Sequence, residues 1–231
     1  MTTLDTLGEL GLIDRIRNAT PAPVQPGTIR GLGDDAAVFA FSDSELGLLA
    51  TSMLLEGIHF DLTYMPLRHL GFKAVAVNVS DIAAMNGLPT QITVSLGLSS
   101  RFTVEAVDEL YAGIRAACEA YNIDLVGGDT TSSRSGLIIS VSVLGNVPKN
   151  RITYRNTAQP NDVICVTGDL GAAYLGLQLL EREKQEYLAN PDMQPALSEE
   201  RAYLIGRQLR PDGRTDIIHE LRDLDIIPTA M

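Results

Sequence analysis

Three short stretches of the sequence put carboxylates where a plain apolar core would not. Asp35 follows Gly33-Asp34 at the mouth of an apolar run, Asp81 lies in the small-residue stretch Ala74–Met85, and Asp129 follows Gly127-Gly128 and precedes Thr130-Thr131. If Ala74–Met85 is a helix, Asn78 and Asp81 are three apart and share a face. An ionised Asp in so apolar a helix is costly unless hydrogen bonds or a cation meet it. Oxygen-rich sets of this kind suit Mg²⁺, which takes a few carboxylates together with phosphates and water. An acidic pocket repels ATP, but the same pocket filled with Mg²⁺ receives it, with the metal neutralising the triphosphate. A fourth stretch, Thr51-Ser52 followed by Glu56-Gly57-Ile58-His59-Phe60, adds hydroxyls and a histidine. The sequence has neither a Gly-x-x-x-x-Gly-Lys-Ser/Thr loop nor a kinase-type catalytic loop. The expected chemistry is therefore phosphoryl transfer by positioning and electrostatics, with no covalent nucleophile. Each stretch also has a plain structural reading. Gly-Asp pairs mark turns, paired glycines permit tight ones, and a lone histidine is more often structural than functional.

The elements that must hold these residues follow from periodicity. Leu7 to Ile16 has apolar residues at helical spacing and reads as an amphipathic helix, followed by a Pro-rich loop (Pro21, Pro23, Pro26). Ala36–Phe41 and Leu46–Ser52 read as strands joined by Ser42-Asp43-Ser44. Pro66 opens a helix that Gly87 closes. Gln91–Leu98 alternates as a strand. Val107, Leu110, Tyr111, Ile114, Ala117, Cys118 and Tyr121 then make one stripe of a helix capped by Thr103, which places Cys118 in the core. Leu125–Gly128, read as a buried strand that ends in its paired glycines, and Leu137–Val147 are further strands. Four or five strands with two inserted helices imply an α+β layer, one sheet with helices on one face. Near Pro148 the character changes, and the spacing predicts a new unit. It has a buried strand Val163–Thr167 containing Cys165, a Gly168-Asp169-Leu170-Gly171 turn, and a helix from Ala172 to Glu183. The domains expected are residues 1–148 and the start of a second over residues 149–231, where the final run Ile226–Met231 has no closing turn or polar tail.

Composition narrows the class of protein. The 231 residues carry 18 Lys+Arg against 29 Asp+Glu, a net charge of −11, which argues against nucleic acid as a partner. No apolar run is long enough to span a bilayer, and the start MTTLDTLGEL is acidic where a secretory signal would be basic. Two cysteines make no disulfide framework. An acidic globular protein of the cytoplasm, with no membrane association, is the expectation.

In order along the chain, Gly33-Asp34-Asp35-Ala36, Glu56-Gly57-Ile58-His59-Phe60, Lys73–Asp81 and Gly127-Gly128-Asp129-Thr130-Thr131 resemble the thiamine-monophosphate kinases, of the superfamily named after aminoimidazole ribonucleotide synthetase. Val166-Thr167-Gly168 and Leu209-Arg210-Pro211 extend the likeness over nearly the whole chain. The resemblance implies phosphorylation of thiamine monophosphate to thiamine diphosphate with ATP and Mg²⁺, by direct in-line transfer. It implies Asp35, Thr51, Asp81 and Asp129 as metal ligands, with Ser52 standing where the family carries an Asp that bridges two metals. It puts Gly128 and Asp129 against the nucleotide phosphates, makes Arg155 an ATP-contacting arginine and His59 the residue that meets the substrate phosphate. It further implies a homodimer whose N-terminal sheets pair into a β-barrel. In the family, a strand like Ile226–Met231 runs on into an Asp-x-Ser-Asp-Gly motif, so the second domain is expected to be incomplete α/β structure. The alternative is a non-catalytic nucleotide- or metal-binding dimer module of the same fold, which Ser52 favours. Other superfamily members fit less well. A selenide–water dikinase would want a reactive cysteine in a Gly-rich N-terminal segment, and a hydrogenase-maturation factor a C-terminal one.

Overall fold

The computed structural model describes residues 4–190 and 199–231. Residues 1–3 and 191–198 lie outside that description, as do the side chains of residues 4–7 and 200, among them Leu7 of the expected first helix. The first helix, α1 (Leu4–Ala19), has a non-helical Gly8, and its residues Leu10, Ile13 and Ile16 are exposed. The helical spacing is thus real, but nothing described in this chain covers its apolar stripe.

Alternation in the apolar runs produces β1 (Thr28–Arg30), β2 (Ala37–Ala40) and β3 (Glu45–Leu55). In β3, Leu46, Leu48, Ala50 and Leu54 are buried while Leu49, Thr51 and Met53 are exposed, the period of two that a sheet covered on one face requires. The cover begins with α2 (Leu67–Ala83), which starts after Pro66 and ends before Gly87. After β4 (Leu88–Leu98) comes α3 (Val104–Tyr121). Thr103 Oγ1 accepts the Ala106 N–H at its start, and Asn122 closes it in the left-handed region at φ 53°. The two helices touch through backbone: a Cβ on Gly113 would lie 1.9 Å from the Arg68 carbonyl oxygen. Cys118 is buried on this helix, as the stripe predicts.

The remaining strands are β5 (Asp124–Ser132) and β6 (Ile138–Pro148). One six-stranded sheet results, in the order β1-β2-β3-β6-β4-β5. It is antiparallel except for β4 and β5, which α3 connects as parallel neighbours. Two expectations change here. The Gly127-Gly128-Asp129 stretch does not end a buried strand; β5 continues through Ser132 and is an edge strand exposed along its length. The Val163–Thr167 run is not a strand, and Val163, Ile164 and Val166 are 85%, 92% and 58% exposed, so Cys165 is exposed as well. Alternating β-branched residues make a strand only when a neighbour supplies the ladder, and no described segment does so.

The second segment adds α4 (Ala172–Ala189), α5 (Glu199–Leu209) and α6 (Thr215–Asp223). Arg151, 8% exposed, fastens the segment after α6 to the first sheet. Its guanidinium donates to the carbonyls of Leu221 (2.9 Å) and Ile226 (2.6 Å) and pairs with Asp225 at 2.8 Å. Nearby, Thr157 donates to the Thr229 carbonyl and Thr229 to Asp162 at 2.6 Å. Residues 225–229 are thereby clasped along residues 151–162.

Candidate active site

The turn between β1 and β2 and the C-terminal end of α2 meet beside Ser52 of β3. Asp34 leads this corner although its sequence context gave it no role. Its side chain is wholly buried, and its Oδ1 accepts the Asp35 N–H at 3.1 Å. Oδ2 lies 2.9 Å from Arg30, an ion pair without hydrogen-bond alignment, and Oδ1 lies 3.4 Å from Arg155 Nε. Arg30 is held in turn by the Tyr154 ring, 4.3 Å away, and by Asn156 at 3.2 Å. Asp35 is paired with Arg155, whose guanidinium therefore spans both carboxylates.

Asp81 faces this pair from α2. Ser52 Oγ donates to Asp81 Oδ2 over a long 3.4 Å. Burial first, and then the negative charge of Asp35, push the Asp81 carboxyl up to about 6; Ser52 and Arg155 pull the other way and lose. The corner therefore carries negative charge that the protein itself does not compensate. Two carboxylates and a hydroxyl fit Mg²⁺, which commonly holds one or two carboxylates and completes its shell with phosphate and water. Among the described residues, no group of three or more His, Cys, Asp or Glu is gathered that could hold a metal ion unaided. Asn78, one turn before Asp81, is fully buried, donates to the Ala74 carbonyl at 2.9 Å, and has an Oδ1 without a hydrogen-bond partner.

Strand alternation separates the rest of the expected ligand set. Ser52 lies in register with Val141, Val94 and Gly128, the row on the helix-covered face, whereas Asp129 aligns with Ser95, Ser140 and Met53 on the open face. Thr51 shares that open face; its hydroxyl donates to the Val141 carbonyl at 3.1 Å and accepts from Ser142 at 3.0 Å. Asp129 is three strands from Ser52, roughly 14 Å at ordinary strand spacing. Within one chain, then, Asp35, Ser52 and Asp81 come together with Arg155, while Thr51 and Asp129 do not join them. Asp129 Oδ1 accepts the Thr130 N–H at 2.9 Å and lines an open recess with Gly128, Thr130 and Tyr111. Gly128 is there because nothing larger fits: a Cβ would sit 1.9 Å from the Val94 carbonyl oxygen. Tyr111, read from sequence only as part of a stripe, is the aromatic wall of that recess.

His59 occupies a third place. Its Nδ1 accepts the Leu55 N–H at 3.0 Å, which leaves Nε2 to carry the proton and face outward in the neutral ring. With Asp61, Tyr64, Gln178, Lys184 and Gln208 it lines a cavity of about 360 Å³ between the β3–α2 loop and α4. Lys184 meets Asp61 at 2.5 Å and holds its carboxyl well below the usual range, at about 2. Tyr64 donates to Glu181 at 2.6 Å. Arg30, Asp34, Tyr154 and Lys184 were not legible as site residues, since each acts through a partner far along the chain.

Residues 33–147 match the family described as AIR synthase related protein, N-terminal domain. The thiamine-monophosphate kinase of Bacillus subtilis (strain 168) is 36% identical over 205 residues, covering 88% of this chain and 61% of its own length. That of Aquifex aeolicus (strain VF5) is 37% identical over 219 residues, covering 95% and 64%. A solved structure, AaThiL complexed with AMPPCP and TMP, superposes with a TM-score of 0.82 at 34% identity, over 96% of this chain and 64% of that one. Over nearly its whole length the chain is similar to the thiamine-monophosphate kinases in sequence and in fold. It spans about three fifths of the length of the curated relatives it matches.

Proposed function

We propose that the protein serves the ATP- and Mg²⁺-dependent phosphorylation of thiamine monophosphate to thiamine diphosphate, by direct in-line transfer, in the cytoplasm. The observation that carries this reading is the corner at which Asp35, Ser52 and Asp81 converge beside Arg155. Its support from relatives is the kinase complexed with AMPPCP, an ATP analogue, and TMP. When bound, Mg²⁺ would offset the charge of the triphosphate and of the transition state. Asp35 and Asp81 would hold it, Ser52 contributing a neutral oxygen. Arg155 would meet nucleotide phosphate, the recess of Tyr111, Gly128 and Asp129 would take part of the nucleotide, and His59, through its outward Nε2, would hold the substrate phosphate.

The chain forms a homodimer on this reading. Among the described residues edge strand β5 has no outer partner strand, and Leu49, Met53 and Leu144 are exposed on a sheet face that no described helix covers. Pairing with a second copy to close a barrel would satisfy both, because closure removes edges. It would also bring the Asp129 and Thr51 of one copy toward the Asp35–Asp81 corner of the other, completing a ligand set that one chain leaves divided. Residues 1–148 form the nucleotide-, metal- and dimer-forming domain, and residues 149–231 belong to an α/β second domain.

Thiamine diphosphate formation tests the reading, measured for the 231-residue chain and for a chimera continued with the remaining length of the Bacillus subtilis relative. Product from either, abolished by Asp81→Asn, is the expected result. Ser52 favours a second reading, a nucleotide-binding module without chemistry, since a hydroxyl replaces a charged ligand. That reading gains if neither protein forms product while calorimetry still detects Mg·ATP binding.

A further inference from the structure

Arg155 is asked to do two things that one guanidinium cannot do together. The proposed function gives it nucleotide phosphate, yet the structure gives it Asp35, a proposed metal ligand, and Asp34 at 3.4 Å. Asp34 is itself fixed: its carboxylate is wholly buried, takes the Asp35 N–H, and is flanked by Arg30, which the Tyr154 ring holds in place. The Arg155 side chain is half exposed, whereas that of Asp34 is wholly buried. A divalent cation approaching Asp35 must compete with that guanidinium for the same oxygens.

We propose that Arg155 is the resident counter-cation of the Asp34–Asp35 pair, and that metal entry at Asp35 displaces it and frees it for an anionic ligand. Asp34 then acts as a positioning residue, keeping Arg155 tethered at the mouth of the site after Asp35 has let go. Metal and nucleotide binding become coupled through this one side chain. The metal offsets the cost of breaking the ion pair, and the released guanidinium strengthens phosphate binding, so each ligand tightens the other by the same factor. The inference rests on the metal-site reading of Asp35 and Asp81.

Its test is metal binding without nucleotide, which requires no turnover. Mn²⁺ is titrated into the intact chain and followed by electron paramagnetic resonance, for wild type, Arg155→Gln, Arg155→Lys and Arg30→Gln. Where a competing internal contact is removed, apparent affinity rises by the reciprocal of the fraction of chains in which that contact stood open. Arg155→Gln should therefore bind Mn²⁺ about three- to tenfold more tightly than wild type, with Arg155→Lys between the two. Arg30→Gln removes the same charge from the same corner but leaves Asp35 paired, and should change affinity much less. Equal tightening by Arg155→Gln and Arg30→Gln would mean a general field effect and overturns the displacement. Wild type that binds Mn²⁺ as tightly as Arg155→Gln overturns it too while leaving the metal site standing. Wild type and variants that all bind no Mn²⁺ overturn both this inference and the metal site.

Discussion

Asp81 is the residue at which sequence and structure agree most fully. A carboxylate among Ala, Val and Ile on a helix is unlike its neighbours, and that contrast is readable without coordinates. What the sequence cannot give is the direction of its surroundings: which strand hydroxyl it meets, and that the charge of Asp35 acts on it. Its folded carboxyl near 6 lies above the ordinary 3.8, so the native state holds that proton more tightly than the unfolded chain does. Relative stability from this group is greatest below about pH 4 and is lost as pH rises through about 6. Asp81→Asn, which mimics the protonated form, should therefore stabilise the metal-free chain at about pH 8. The gain is on the order of 1 kcal/mol after discounting for partial exposure, and it should vanish near pH 4. Urea unfolding at the two pH values measures it. A destabilised Asn variant at the higher pH would mean that Asp81 is already compensated within the fold.

At the scale of elements, periodicity located nearly everything in the first 148 residues. Helix α3 is legible because its stripe, N-cap and acidic first turn agree, and β3 because its apolar run alternates in burial from Leu48 to Leu54 apart from the half-buried Ser52. The element-level misreadings share one cause, reliance on a partner. The apolar residues before the glycines of β5 predict burial, but the strand lies at the sheet edge. The Val163–Thr167 run has the composition of a strand and no ladder to join. Close contact between elements was equally invisible, as at Gly113, where α3 meets the Arg68 carbonyl of α2. Alanine is the better helix former by roughly 1 kcal/mol, yet Gly113→Ala should destabilise by about 1–3 kcal/mol because neither backbone can yield without disturbing the core. The urea midpoint should fall; a rise would show that the two helices slide apart at little cost.

For the whole molecule, the divided ligand set makes a prediction that a single chain cannot satisfy. Asp81→Asn and Asp129→Ala chains should each bind Mg·ATP poorly. Mixed under conditions that exchange protomers, half the dimers pair one of each variant, and each such dimer contains one corner with both carboxylates. Binding capacity should recover to about a quarter of wild type. No recovery after verified exchange would mean that Asp129 serves its own chain.

The Arg151 clasp also bears on how the chain reaches this state. It ties residue 151 to residues 221–226, closing a loop of some seventy residues, and closing so long a loop costs entropy before any contact offsets it. The sheet of the first 148 residues has no need to wait for that closure. Arg151, Asn86 and Thr153 sit at its border as a prepared seat, with the Asn86 amide donating to the Arg151 carbonyl at 2.8 Å. The expected order of assembly is the sheet and its two helices first and the α6 segment later, its carbonyls taken up by an arginine already seated; hydrogen exchange that protects α6 as early as β3 would overturn it.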